Sequence, residues 1–251
     1  MERRSGTGRR RPVHVLDNPV WHALIGPQRA LGRTTELAGR FDPDVAPFGA
    51  LASGSVTDSV WEGLAQLVGP KGTVSLTGDL SDPPPEWTVI ARFDGMQMVG
   101  DDVLIPGLDV GWSPPGSAES ALPVPVPLGP VDAPEMLALV EVTRPGPFER
   151  RTVELGGYLG IRIDGQLVAM AGERLRPPGY AEISAVATDP NYQRRGLARH
   201  LVLAVADGIV RRGDIPFLHA STTNIGAIRL YESLGFTIRR PVVFLLLEAP
   251  G

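Results

Sequence analysis

Residues 181–199, AEISAVATDPNYQRRGLAR, restrict the fold more than any other stretch of the chain. Ala181 to Thr188 is apolar, β-branched at Ile183 and Val186 with small residues between, and reads as a buried strand. Asp189-Pro190-Asn191 stops it, because Pro cannot donate to a ladder and Asp and Asn close turns through their own side chains. Gly196 then lets the backbone bend tightly, and Leu197, Leu201, Val202, Val205 and Ile209 follow at helical spacing.

Strand, turn, glycine and helix start together suit an anion. The first N–H groups of a helix have no partner inside it and sit at the positive end of its dipole. A loop that aims several of them at one point binds phosphate or pyrophosphate with little side-chain help. Arg194, Arg195 and Arg199 add positive charge there. By residue type alone the stretch also reads as a solvated helix entry with a tight glycine turn.

Composition narrows the classes. The longest apolar run, Val242 to Leu247, suits a strand and falls far short of the ~20 residues that span a bilayer. MERRSGTGRRRP at the start lacks the apolar core of a signal peptide and carries +4, leaving −8 on the rest of a chain whose net charge is −4. An acidic body repels phosphate backbones, so nucleic-acid binding is not expected except through that basic tail. With no cysteine there is no disulfide framework, thiolate nucleophile or zinc-thiolate site, and a reducing cytoplasm is the expected location. His14, His22 and His200 lack the spacing of metal ligands, so no metal is expected.

The pattern divides the chain into a disordered basic tail (1–15), an N-terminal α/β module (16–112), a proline-rich linker (113–125) and a second domain (126–251). In the module, Asn18-Pro19 opens a short helix ending near Gly26-Pro27, and Asp58 caps a helix through Leu67. RFDPDVAPFGA, from Arg40 to Ala50, holds too much Pro and Gly for a regular element. Thr73 to Thr77 reads as a strand, and Trp87–Phe93 and Met96–Val99 as a hairpin turning at Asp94-Gly95. In the second domain, Val124 to Leu128 fits an edge strand. Asp132 and Glu135 have capping-box spacing ahead of a helix carrying Met136, Leu137, Leu139 and Val140. Further helical turns are expected over Phe148 to Leu155. Tyr158–Ile163 and Gln166–Arg174 form a hairpin about Asp164-Gly165. Phe217 to Ser221 is another strand, Asn224 caps a helix stopped by Gly235, and Val242 to Leu247 closes the sheet. The expectation is an open mixed sheet with helices on both faces and one crossover between a parallel pair.

Gln193-Arg194-Arg195-Gly196-Leu197-Ala198 resembles the Q/R-x-x-G-x-G/A motif of the GNAT superfamily of acyl-CoA N-acyltransferases. LHASTTNIGAIRLYESLGF, with Asn224, Ala227, Tyr231 and Leu234-Gly235-Phe236, is similar to that family's second motif in the right order and separation. The resemblance covers about Leu128 to Glu248, and Ala198 replaces the commoner second glycine. It implies an α/β, mostly antiparallel sheet with splayed central strands, and acetyl-CoA as acyl donor in the gap between them. It places pyrophosphate on the amides from Arg194 to Arg199, pantetheine along Val186-Ala187-Thr188, and an oxyanion on a backbone N–H near Val186.

The resemblance further implies direct attack by a primary amine of a small molecule or peptide. Tyr231 is then the acid that protonates the leaving sulfur, and Glu182 the candidate base, unless it faces solvent or pairs with an Arg. His219, amid apolar neighbours, reads as a structural histidine. Acceptor choice is expected from Thr143–Phe148, Glu173–Arg176 and whatever the N-terminal half lays over the cleft. Whether that half is a degenerate copy of the same fold, and whether the chain forms a homodimer, stays open. A non-catalytic acyl-CoA-binding regulatory module is the rival reading.

Overall fold

A computed structural model of the protein describes residues 14–52, 57–78, 82–103 and 122–251. The basic tail to residue 13 and residues 113–121 of the linker lie outside the described residues.

The N-terminal part holds α1 (Pro19–Leu24), β1 (Gly32–Thr34), β2 (Ala38–Phe41), β3 (Gly49–Leu51), α2 (Asp58–Val68), β4 (Thr73–Gly78) and β5 (Thr88–Val99). The remainder holds β6 (Val126–Leu128), α3 (Ala133–Thr143), β7 (Tyr158–Ile163), β8 (Gln166–Glu173) and β9 (Tyr180–Thr188), then α4 (Leu197–Arg211), β10 (Ile215–Ser221), α5 (Ile225–Ser233) and β11 (Thr237–Glu248). Strands β1, β2 and β3 form a small sheet; the others form one sheet of eight in the order β4-β11-β5-β10-β9-β8-β7-β6. Every neighbouring pair in it is antiparallel except β9 and β10, which α4 joins.

Local chemistry explains most elements. Asn18 accepts from the Trp21 N–H at 3.3 Å and Asn224 from the Ala227 N–H at 3.1 Å, capping α1 and α5. Leu197, Leu201, Val202, Val205 and Ile209 of α4 are all buried, so the apolar stripe is the face packed on the sheet. Edge strand β6 tolerates Pro127 because an edge need not use every donor. A single 3-10 stretch, Thr152–Leu155, stands within the helical region expected from Phe148.

Three expectations need correction. Asp132 and Glu135 do not box the α3 terminus: both bind Arg162 on β7, at 2.8 and 2.6 Å, and the other Asp132 oxygen accepts from the Gly129 N–H at 2.9 Å, so the pair is spent on the strand and the preceding turn. Arg40 to Ala50 is bounded by regular structure after all, since β2 and β3 need only three registered pairs, Ala38↔Leu51 to Arg40↔Gly49. Asp94-Gly95 is no turn: β5 runs straight through it. Gly95 lies opposite Val242 of β11 and Ser221 of β10, and a Cβ there would meet the Phe244 ring at 2.8 Å. The glycine serves close approach, which local pattern cannot tell from a bend.

Strand β5 therefore sits between β10 and β11, within the sheet completed by the C-terminal residues, and not in a second sheet of its own. One face of that sheet is covered by α4 and α5, around Met98, Ile183, Leu218, Tyr231 and Phe236. Towards its middle the other face is covered by the N-terminal segment, where Leu16, Trp21, Leu24 and Phe48 pack with Phe217 and Leu175.

Candidate active site

The parallel strands part halfway. β9 and β10 pair from Tyr180↔Ile215 to Ile183↔Leu218, and no registered pair follows, although β9 runs on to Thr188 and β10 to Ser221. The cause lies in β9: Ala185 takes φ 52°, rare for a residue with a Cβ, and the β8 register slips between Met170↔Ala187 and Gly172↔Ser184. This bulge turns β9 away and leaves a fork. Val186 is half-buried against the α4 core, Ala187 is buried, and the Thr188 hydroxyl is buried with no hydrogen-bond partner among the described residues.

At the rim of the fork the chain forms a concave row of amides. Arg194 and Gly196 both have positive φ, 61° and 79°, on either side of Arg195, a geometry that gathers successive N–H groups. Gly196 is the N-cap of α4 with no side-chain bond to the helix, so the first amides, at Leu197, Ala198 and Arg199, are not capped by a side chain. A Cβ on Gly196 would have Leu122 Cδ1 as its nearest neighbour, at 4.0 Å, so the rim faces open space. Gln193 is exposed, with its amide 3.5 Å from the Thr188 carbonyl; Arg195 lies over the Tyr192 ring and bonds the Asn191 carbonyl at 3.1 Å. Arg199 reaches Ser233 at 3.4 Å, tying α4 to α5. A helix start without a side-chain cap, a Thr188 hydroxyl without a partner among the described residues and an open rim fit a ligand with a pyrophosphate head and an amide-bearing arm.

Tyr231 comes to the fork from α5, with Ala227 and Asn224 about one and two turns before it. It packs edge-on against Phe236 at 6.2 Å and shares a core cluster with Leu197, Ala220 and Val186. Burial pushes its phenol up to about 12, so it keeps its proton throughout the neutral range.

Glu182 lies on β9 and pairs with an Arg, the alternative to the base role that the sequence left open. It is fully buried (0 % exposed), one strand position below the fork. Arg174 grips it with Nε on Oε2 at 2.9 Å and Nη2 on Oε1 at 2.5 Å, while His219 Nδ1 lies 2.7 Å from Oε1. Burial alone would raise this carboxyl; the Arg174 charge and these bonds outweigh it and hold it down at about 2. Both oxygens are engaged, by Arg174 and His219, within the fold.

Gln97 of β5 fixes the His219 tautomer. Its amide nitrogen is 2.9 Å from the Leu16 carbonyl and must donate; its oxygen is 2.7 Å from Arg239 Nη1 and must accept. The amide nitrogen therefore also donates to His219 Nε2 at 3.1 Å, and Nδ1–H donates to Glu182. Arg239 continues the chain to Asp17 at 2.6 Å. A polar line thus crosses β9, β10, β5 and β11 and pins the N-terminal segment. Glu173, buried, is spent on Arg212 at 2.7 Å, and the Arg176 amide donates to Gln28, so the Glu173–Arg176 stretch is largely fixed within the fold. The motif residues were legible by local spacing. Arg174 and Gln97 were not, because only cross-strand register brings them to Glu182 and His219. Among the described residues no cluster of His, Asp or Glu could hold a metal, and no helix is long and apolar enough to cross a membrane.

A mostly antiparallel sheet, one forked parallel pair and an amide-lined helix entry make up the α/β frame of the N-acyltransferases that the motifs resemble. Residues 158–245 match the family model of FR47-like proteins. A GNAT-family protein of Novosphingobium aromaticivorans, known from a crystal structure, is 41% identical with a TM-score of 0.81, over 95% of this chain and all of that one. The chain belongs to the GNAT family. It is 40% identical over 82 residues to the N-alpha-acetyltransferase RimI of Mycobacterium tuberculosis, covering 32% of this chain and 51% of the relative. It is 45% identical over 64 residues to the ribosomal protein bS18-alanine N-acetyltransferase of Salmonella typhimurium, 24% of this chain and 43% of that one. The chain thus spans about half, or less, of these curated relatives.

Proposed function

We propose that the protein is an N-acetyltransferase that takes an acetyl group from acetyl-CoA and passes it to a primary amine by direct attack. The fork carries this reading: among the described residues β9 beyond Ile183 has no strand beside it on the β10 side, and the chain leads on from it into the amide rim at Arg194–Arg199. Val186, Ala187 and Thr188 would hold the pantetheine arm, the orphan Thr188 hydroxyl finding a partner there. The rim would hold the pyrophosphate. When bound, acetyl-CoA supplies the activated acyl group.

The chain's own part is orientation and proton control. A bulge amide near Val186 is set to meet the oxygen on which charge develops. Tyr231, kept protonated by burial, supplies a proton to the departing sulfur. Glu182 acts by holding Arg174 and His219, and through them the floor of the fork. Release of CoA with a panel of amines and peptides, run beside acetyl-CoA calorimetry, tests the reading. Binding with turnover is expected. Binding without turnover of any amine would leave a non-catalytic acyl-CoA-binding module in its place.

A further inference from the structure

Beyond Gly95, β5 outruns β10. The two pair from Val99↔Phe217 to Gly95↔Ser221; β5 then continues back to Thr88 with β11 alone beside it among the described residues. The Thr222 N–H still reaches the Asp94 carbonyl, at 3.1 Å. Antiparallel strands turn the backbone groups of successive residues to alternate edges, so Arg92 points its N–H and C=O the same way as Asp94, towards the vacant line of β10. The same stretch bares its apolar side chains: Val89, Ile90 and Phe93 are 47%, 49% and 57% exposed. Phe93 pairs across the strands with Phe244, whose ring packs edge-on against His219 at 5.5 Å. Phe93 is thus linked through Phe244 to His219, the first β10 residue past the last pair with β9.

An open edge with apolar side chains is a template for another strand. Its direction decides what that strand delivers. Laid antiparallel to β5, an added strand runs as β10 does and starts beside Thr222, at the mouth of the gap between β9 and β10. Laid parallel, it would put a C-terminus there. We infer that the acceptor is the N-terminal stretch of a polypeptide, bound extended and antiparallel along Thr88–Arg92, with its α-amine at the fork and an early side chain on Phe93 and Phe244. This rests on the reading of the chain as an N-acetyltransferase. The proton chemistry agrees. Glu182 and His219 have their acceptor atoms already bonded, and an α-amine of pKa ~7.7–8.0 is a tenth or more free base at neutral pH, whereas a lysine amine near 10.4 is free base in less than about one molecule in a thousand.

The test compares kcat/KM, by CoA release, for four acceptors: a hexapeptide with a free N-terminus, the same peptide N-methylated on alternate backbone amides, its first residue as the amide, and an N-blocked peptide with one lysine. The hexapeptide is expected to exceed the amino-acid amide on the order of 100-fold, chiefly in KM, as two or three net backbone hydrogen bonds and one buried side chain imply. N-methylation should remove most of that gain, and Phe93→Ser should raise the hexapeptide KM about 10-fold with acetyl-CoA affinity kept. Equal use of the methylated peptide or the amino-acid amide, or preference for the lysine peptide, would overturn the strand-docking inference and leave the acetyltransferase reading standing. No CoA release from any of the four, with acetyl-CoA bound, would bring down both.

Discussion

Glu182→Gln separates a carboxylate that holds the fold from one that takes a proton in turnover. The glutamate is fully buried against Arg174 and His219, and the change leaves the Arg174 guanidinium enclosed without a counter-charge. Breaking a buried pair from one side costs roughly 3–5 kcal/mol. For a chain of this size each kcal/mol moves Tm by about 2–4 °C, so a fall on the order of 10 °C is expected. The pH dependence gives a second handle. An exposed glutamate titrates near 4.5, and this one is held at about 2. A depressed carboxyl contributes stability that is fully present above 4.5 and lost as pH falls towards 2, about 3 kcal/mol across that window. Calorimetric unfolding from pH 2 to 8 should show this loss in the parent protein and not in the variant. Adding Arg174→Met to the variant, which removes both charges, should restore part of the stability. Unfolding of Glu182→Gln within about 1 kcal/mol of the parent would refute a structural role for this pair. A variant that keeps its fold but loses the acid limb of the rate profile would refute it equally and make Glu182 the base.

Tyr231→Phe is expected to lower kcat on the order of 100-fold with acetyl-CoA affinity unchanged, by steady-state kinetics beside calorimetry. Gly196→Ala forces a Cβ onto a residue at φ 79°, a strain of roughly 1–2 kcal/mol at the rim, and should weaken acetyl-CoA binding about 10-fold in calorimetry. Gly95→Ala drives a Cβ to 2.8 Å from the Phe244 ring and should cost about 1–3 kcal/mol in urea unfolding, because ring and strand must both shift. Asn224→Ala removes the α5 cap and should cost about 1 kcal/mol in the same measurement.

What could be read from the sequence was what depends on neighbours along the chain. The α4 stripe, the Asn18 and Asn224 caps and the positive φ at Gly196 all follow from residues a few positions apart. The fork was expected from resemblance, and its physical cause, the left-handed Ala185, is invisible by residue type, since alanine ordinarily avoids that region. The partners of Glu182 come from the residue just after β8, from β10 and, through His219, from β5, so no spacing rule could nominate them. Asp94-Gly95 misled because a glycine that admits a neighbouring ring and a glycine that turns a chain leave the same mark in the sequence.

The placement of β5 also bears on how the chain can reach its native state. Thr237 meets Val99 across 138 positions, and at about 5–20 residues per second the ribosome needs roughly 7–30 s to make that span. For that interval a nascent strand bearing Val89, Ile90 and Phe93 has no permanent neighbour on either side. Completion of the sheet thus awaits late synthesis, folding is slow for the chain's length, and a chaperone that shields residues 88–94 should raise the yield. Conversely, trimming the first hundred residues would strip no accessory appendage; it would leave β10 and β11 facing each other across an empty lane.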